Sequence, residues 1–153
     1  MNTNENLPEE NFTPASCQTN VSGSAFSIHD LKCGNILNYD TAEGEILPNV
    51  IDWQDLRWLT EDPKGFNLVY SGIELSNDNL LKLGFKLYPS GYMCLDILDD
   101  KFYISIGSKY DKEPNLIMDN GENVLNVDLK KIRYVHELQN FYYCLTGVML
   151  SLS

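Results

Sequence analysis

The stretch YVHELQNFYYCLTG, residues 134–147, constrains the fold more than any other feature of this chain. Four of its larger residues recur at the three- and four-residue spacing of one helical face: Tyr134, Leu138, Phe141 and Leu145. Gly147 follows them, and glycine readily takes the left-handed conformation at a helix end. Because an amphipathic helix must cover its apolar stripe, the stretch predicts a C-terminal helix packed on a sheet, with Phe141 buried.

Short apolar runs separated by turn residues predict antiparallel strands before this helix. Residues 31–39 and 45–51 flank the polar turn DTAEG and predict a β-hairpin, in which Pro48 marks the second strand as a sheet edge. Residues 66–70 predict another short strand after the breaker EDPKG. Together these pieces suggest a small, strongly bent, barrel-like sheet.

A short helix and a β-meander are predicted next. Ser76 is a good N-cap and Gly84 suits the position just past a helix end, so residues 76–84 predict a helix. Apolar and alternating runs then predict strands at Phe85 to Tyr88, Tyr92 to Leu98, Lys101 to Ile106, Leu116 to Met118 and Asn123 to Leu129. The predicted fold class is α+β, mostly antiparallel β, with a barrel-like N-terminal sheet, a β-meander, one short helix and one C-terminal amphipathic helix on the sheet.

Composition divides the chain into a tail and two lobes. Residues 1–27 contain three Glu, no Lys or Arg and only isolated apolar residues, which predicts a disordered acidic tail. Residues 28–75 form the predicted barrel-like lobe. Residues 76–153 form a second lobe of helix, meander and C-terminal helix, and we expect the two lobes to share one core.

The charge balance disfavours several classes of partner. Eleven basic residues against 22 acidic ones give a formal net charge of −11, which repels nucleic-acid backbones and anionic lipid. We therefore expect no direct nucleic-acid binding and no membrane association. Acidity also leaves open mimicry of DNA, although a solvated acidic surface is the commoner meaning of such a composition.

The sequence predicts a cytoplasmic protein. Its first residues, MNTNENLPEENF, lack the positive charge and apolar core of a secretory signal, and no apolar run is long enough to span a bilayer. The four cysteines show no C-x-x-C spacing, which favours reduced thiols over a disulfide framework: Cys17, Cys33, Cys94 and Cys144.

Candidate catalytic and metal-binding residues form only weak patterns. Adjacent helical residues point about 100° apart, so His136 and Glu137 cannot face one substrate as a base and its orienting group. His29 and Cys33 are four residues apart, which on a helix could make half of a zinc site completed by His136, Cys94 or Cys144, but the second residue lies in a predicted strand. The only local carboxylate cluster is Asp96, Asp99 and Asp100, which a solvated turn explains.

Common enzyme signatures are absent from the sequence. It contains no phosphate-binding glycine-rich loop, no H-E-x-x-H and no G-x-S-x-G. We therefore predict a protein that is not an enzyme, with no catalytic, cofactor-binding or metal-binding residues.

Three segments, LKCGNILNY, SGIELSNDNLLKLGF and YVHELQNFYYCLTG, carry a resemblance that covers about Leu31 to Leu150. Their order and spacing resemble a family of small uncharacterised proteins of phages and mobile elements of Bacteroides-type gut bacteria. Such proteins begin with a Leu-Arg-x-Gly-Asn-like strand, carry a helix ending Leu-Leu-Lys-x-Gly-Phe, and close on Tyr-Val-His-x-Leu-Gln-Asn-x-Tyr. Asn79 stands where they often have Trp. The resemblance implies an origin and a fold, and no activity.

The favoured function is a non-enzymatic protein-interaction module that acts as a phage or mobile-element accessory protein with an unknown phage or host protein partner. Aromatic residues among polar ones bury large areas at low entropy cost, so the candidate partner-binding residues are Trp53, Trp58, Tyr88 and Tyr92. One alternative is an acidic DNA mimic or counter-defence inhibitor. A second is a small metal-dependent phosphohydrolase or nuclease that would use His136 and the three clustered aspartates.

Overall fold

A computed structural model describes residues 25–98, 102–107, 114–119, 124–129 and 131–153. In these ranges the chain forms eight strands and four helices, and every strand pair is antiparallel. The strands belong to two sheets of three and five strands. The predicted α+β class with antiparallel sheets is confirmed.

The three-stranded sheet contains the predicted hairpin. Strands β1 (Ile36–Asp40) and β2 (Ile46–Val50) pair through a turn in which Gly44 has a positive φ of 80°. Strand β3 (Tyr70–Ser71) pairs with the other side of β1, so the order is β2-β1-β3. Pro48 lies on the edge strand β2, as predicted. The sheet is open, so the structure describes no closed barrel.

Two helices lie within the predicted barrel-like lobe, for which the sequence predicted strands alone. Helix α1 (Trp53–Glu61) is capped by Asp52, whose side chain accepts hydrogen bonds from two first-turn amides. Helix α2 (Pro63–Val69) is capped by Asp62. The predicted strand at 66–70 is therefore wrong, because all but its last residue are helical. Proline is well suited to the first helical position, and that signal outweighs the β-rich composition that follows.

The second half follows the predicted order of elements. Helix α3 (Asn77–Lys82) begins after Ser76, which accepts a hydrogen bond from the Asn79 amide at 3.2 Å, and Gly84 follows with a φ of 92°. A meander then forms the five-stranded sheet in sequential order: β4 (Lys86–Leu87), β5 (Met93–Leu98), β6 (Phe102–Ile106), β7 (Pro114–Asp119) and β8 (Val124–Asp128). Residues 99–101 and 120–123, where two of the predicted strands begin, lie outside the described residues.

Helix α4 (Val135–Thr146) is the predicted amphipathic helix, and it ends at Gly147 with a φ of 73°. Its buried face differs from the predicted stripe. Leu138 is fully buried, but Phe141 is only half-buried and Leu145 is exposed. The buried residues of α4 are Val135, His136, Leu138 and Gln139. The helix contacts β1 as well as the larger core, so its N-terminal half is covered on more than one side.

Two clusters of buried apolar residues meet at β1. The smaller core lies between the three-stranded sheet and helices α1 and α2 and includes Leu37, Ile51, Leu59 and Phe66. The larger core joins the five-stranded sheet with α3 and α4. Successive β1 residues belong to opposite clusters, since Ile36 packs in the larger core and Leu37 in the smaller. Phe26, which the sequence places in the tail, packs against the smaller core.

Among the described residues, no helix is both long enough and apolar enough to cross a membrane.

Candidate functional site

The outer face of the five-stranded sheet carries rows of polar side chains. Because side chains alternate between the faces of a strand, the register places the outward-facing residues of neighbouring strands opposite one another in rows across the sheet. One row runs Lys86, Cys94, Ser105, Asn115 and Asp128, and the next runs Asp96, Tyr103, Ile117 and Asn126. Residues in the alternate positions, among them Met93, Ile104 and Leu116, enter the larger core.

A groove with a volume of about 750 Å³ lies over these rows, and we name it the tyrosine groove. It is lined by Lys86, Tyr88, Ser90, Tyr92, Cys94, Asp96, Tyr103, Ser105, Gly107, Asn115, Ile117 and Asn126. Most of these residues offer a hydroxyl or an amide. The groove therefore presents hydrogen-bonding groups together with three aromatic rings.

Tyr88 and Tyr92 are held at one end of the groove by the turn between β4 and β5. The Tyr88 amide donates to the Tyr92 carbonyl at 2.8 Å, and the Gly91 amide donates to the Tyr88 carbonyl at 2.9 Å. Gly91 has a φ of 87°, a conformation that glycine adopts without strain. Both tyrosine side chains are exposed, so this turn fixes two of the four predicted partner-binding residues beside each other on the groove.

The two predicted partner-binding tryptophans lie elsewhere. Trp58 is half-buried and packs edge-on against Phe66 and Tyr70, with ring centroids 5.7 and 6.1 Å away, so it belongs to the rim of the smaller core. Trp53 begins α1 and is 61% exposed. Neither tryptophan lines the tyrosine groove.

The charged residues of the groove neutralise each other. Lys86 Nζ lies 3.1 Å from Asp96 Oδ2, and these two are the charged residues among the described residues of the lining. Because both side chains are substantially exposed, the pair contributes at most about 1 kcal/mol to stability. The described residues of the lining therefore carry no net charge, although the protein as a whole is strongly acidic.

Cys94 lines the groove, and its surroundings favour the protonated thiol. Burial raises the pKa of the Cys94 thiol, the nearby charge of Asp96 adds to this rise, and a hydrogen bond with Ser105 opposes it. Thiolate is the nucleophilic form of cysteine, so a raised pKa makes this residue less reactive.

A second cavity of about 360 Å³ lies at the N-terminal end of α4, and we name it the His136 cavity. Its lining includes Phe26, His29, Asp30, Tyr134, His136 and Glu137. The imidazole of His136 is stacked on Tyr134 with centroids 5.7 Å apart and meets Phe26 edge-on at 5.3 Å. Burial lowers the pKa of His136, while the charges of Glu137 and Asp30 oppose the shift.

The residues of the hydrolase alternative are not brought together in the part of the chain that the structure describes. Asp96 lines the tyrosine groove and pairs with Lys86, whereas His136 lines the other cavity. Asp99 and Asp100 lie outside the described residues. His29 and His136 do share a cavity, but Cys33 is exposed and does not line it. Within the described ranges, no three His, Cys, Asp or Glu residues are placed to hold a metal ion.

A buried amide cluster, which sequence reasoning missed, joins β1 to α4. Gln139 Oε1 accepts from the Ile36 amide at 2.9 Å, and Gln139 Nε2 donates to the Leu150 carbonyl at 2.6 Å and to the Gly34 carbonyl at 3.2 Å. Asn35 Nδ2 donates to Asn140 Oδ1 at 3.1 Å. The available signal was the side-chain amide of Asn35 and the adjacent amides of Gln139 and Asn140, each inside otherwise apolar surroundings.

These contacts give a physical role to two of the segments that carry the family resemblance. LKCGNILNY supplies the backbone and the Asn35 side chain, and YVHELQNFYYCLTG supplies the two amides that bind them. Both segments therefore maintain the fold and lie apart from the tyrosine groove. No family model, curated protein or solved structure matches the chain.

Proposed function

We propose that this protein is an accessory protein of a phage or mobile element and acts as a non-enzymatic protein-interaction module in the cytoplasm. The tyrosine groove is its contact surface. The phage or mobile-element origin rests on the sequence resemblance alone. Support for a reducing compartment comes from Cys33, Cys94 and Cys144, which are free thiols.

One observation carries the functional proposal: the composition of the groove lining. Tyrosine offers a large amphipathic contact area with few rotatable bonds, and serine and asparagine supply adaptable hydrogen bonds. These residue types line protein-recognition surfaces, and the groove combines three tyrosines with two serines and two asparagines. Because the two charged residues in the described part of the lining form a pair, the proposed occupant is a polar polypeptide segment of low net charge.

Binding variants provide the direct test. Tyr88→Ala/Tyr92→Ala removes both exposed rings from the groove, and Tyr143→Ala removes a similarly exposed tyrosine from α4 as a matched control. Tagged proteins are used to capture partners from phage- or element-bearing cells, and each captured protein is purified and titrated against all three chains. We expect a partner whose affinity falls at least about tenfold with the double variant and is unchanged with the control.

Two outcomes would contradict the proposal. Every identified partner could bind the double variant as tightly as the wild type, or no partner could be recovered by any chain from cells that express the element. For any partner found, the dependence of its affinity on salt distinguishes an interaction through the groove from DNA mimicry. A neutral groove predicts an affinity nearly independent of salt between 50 and 300 mM NaCl, an interval over which a complex of a DNA mimic would weaken sharply.

The acidic residues are dispersed along the sequence, which favours general solvation over a spaced row of phosphate-like charges. We therefore predict that the purified protein binds neither duplex DNA nor a basic DNA-binding enzyme with submicromolar affinity at physiological salt. Fluorescence anisotropy with labelled duplex and a titration with a purified restriction enzyme or repressor check this. A tight, salt-sensitive complex with such an enzyme would make mimicry the leading function.

A further inference from the structure

We infer that the His136 cavity binds an organic cation that carries N–H donors, an ammonium or a guanidinium group. This site is separate from the tyrosine groove and does not rest on the proposed interaction function. Three independent properties of the lining support it: an unpartnered buried nitrogen, two carboxylates with a spare oxygen, and two fixed aromatic rings.

The unpartnered atom is Nδ1 of His136. The residue is 4% exposed, and Nδ1 has no hydrogen-bond partner among the described residues. Buried polar atoms without a partner are rare in folded proteins and call for a physical explanation. Because burial lowers the pKa of His136, its imidazole is neutral at pH 7, and with the proton on Nε2 the other nitrogen is a hydrogen-bond acceptor. Nδ1 is itself buried beneath its neighbours, so an N–H donor in the cavity satisfies it once the lining side chains shift to admit the donor.

The carboxylates set the sign of the ligand's charge. Asp30 Oδ2 accepts from the Ser27 amide at 2.7 Å, and Glu137 Oε2 accepts from the Tyr134 amide at 3.1 Å. The second oxygen of each carboxylate has no partner within the described ranges. No Lys or Arg is part of the described lining, and the sequence of residues 1–24 contains none. An anion in this cavity would therefore face two like charges, whereas a cation would be attracted.

The aromatic walls are fixed in place. Phe26 is held by Asn67, which accepts from its amide at 2.6 Å and donates to its carbonyl at 3.2 Å. The Tyr134 ring lies directly against Gly72, where an added Cβ would stand 2.7 Å from Tyr134 Cδ1. Aromatic rings attract cations through the negative potential of their faces, and rings that are already ordered add little entropy cost on binding.

NMR can detect binding at the named atom. The chain has only two histidines, so the His29→Gln variant assigns the imidazole nitrogens of His136 in a long-range ¹H–¹⁵N spectrum. Ethylguanidinium is the probe, and ethylurea, which has the same shape without the charge, is its control. We expect a saturable change in the Nδ1 shift with the cation and none with the urea. The peptide Gly-Arg-Gly tests whether the cation can be a polypeptide side chain.

Charge-neutralising variants give the second measurement. Asp30→Asn and Glu137→Gln each keep an oxygen for the backbone amides that the carboxylate now binds, and Asp40→Asn at the end of β1 is the control. We expect each cavity variant to weaken the cation about threefold to tenfold and the control to have no effect. A response to Gly-Arg-Gly alone assigns a polypeptide source, and a response to ethylguanidinium alone a free cation; either supports the site.

Other results would overturn the inference. One is that the His136 nitrogens respond to neither cation, and another is that they respond equally to ethylurea. A third contrary result is that both cavity variants bind the cation as tightly as the wild type.

Discussion

Gln139 shows how one buried amide can replace apolar packing in the middle of a helix. Gln139 is fully buried on α4. Its side-chain oxygen accepts from the Ile36 amide, and its side-chain nitrogen donates to the carbonyls of Gly34 and Leu150. In an interior of low dielectric constant, fully satisfied polar groups specify one arrangement, because any shift leaves them unpaired. Gln139 therefore fixes the position of α4 on β1.

Replacing Gln139 with leucine should be strongly destabilising despite the similar size of the two side chains. Gln139→Leu leaves the Ile36 amide and the Leu150 carbonyl without partners, at a cost of about 2–4 kcal/mol in the free energy of unfolding. Chemical denaturation measures the loss. The control is Gln54→Leu at an exposed position of α1, which should change stability by less than about 0.5 kcal/mol. A loss below about 1 kcal/mol at Gln139 would contradict the role given to the amide.

His136 should make stability depend on pH in the weakly acidic range. Because burial lowers its pKa in the folded protein below the ordinary value of 6.5, the unfolded chain takes up a proton at a pH where the folded chain does not. The contribution of neutral His136 to stability is fully present above about pH 6.5. It is lost as the pH falls through the lowered pKa that His136 has in the folded protein.

The measurement is the free energy of unfolding of the wild type, His136→Gln and His29→Gln between pH 8 and 5. We expect the wild type to lose more stability below pH 6.5 than His136→Gln does. His29→Gln keeps the buried imidazole of His136, so its curve should retain the loss of stability below pH 6.5. Parallel curves for the wild type and His136→Gln would show that the buried imidazole is not the cause.

At the scale of elements, the sequence correctly predicted the turns and helix ends that depend on neighbouring residues. The hairpin turn with Gly44, the Ser76 cap of α3 and the end of α4 at Gly147 all depend on residues next to one another, and all three are confirmed. Helix α2 was missed because its sequence signals compete. The aromatic and β-branched composition of residues 66–70 favours a strand, while Asp62 and Pro63 favour the start of a helix.

The candidate site could be predicted only in part, for a geometric reason. Tyr88 and Tyr92 flank one turn, so their proximity follows from the sequence. The remaining lining comes from neighbouring strands, and which residues stand opposite each other depends on register, which the sequence leaves open. The His136 cavity joins residues more than a hundred positions apart, and no local pattern indicates such a pairing.

Removing the cap of α3 tests the local signal directly. Ser76→Ala loses the hydroxyl that accepts from the Asn79 amide, and we expect a loss of about 1 kcal/mol in the free energy of unfolding. Ser151→Ala, at an exposed position outside the helices and strands, is the control. Urea denaturation of both variants measures the difference. Equal stability of the two variants would mean that the hydroxyl contributes nothing at this helix start.

At the scale of the whole molecule, the boundary of the N-terminal tail can be tested by two truncations. Residues 1–24 have a composition without a burial pattern, so removing them should change the melting temperature by no more than about 2 °C. Removing residues 1–27 also deletes Phe26, whose ring contacts Phe66 and His136, and should lower it by about 5 °C or more. Differential scanning calorimetry separates the cases, and equal melting temperatures would contradict the packing role of Phe26.

The amide cluster between β1 and α4 has a consequence for how the chain folds during synthesis. Ile36 is translated early, yet the Gln139 oxygen that accepts its amide hydrogen is made 103 residues later. In a nascent chain that lacks α4, the Ile36 end of β1 therefore stays uncovered while the ribosome completes the meander. Folding of the N-terminal half is then tied to translation of residues 139–150, and a ribosome stalled between β8 and α4 would hold a chain that chaperones and proteases recognise.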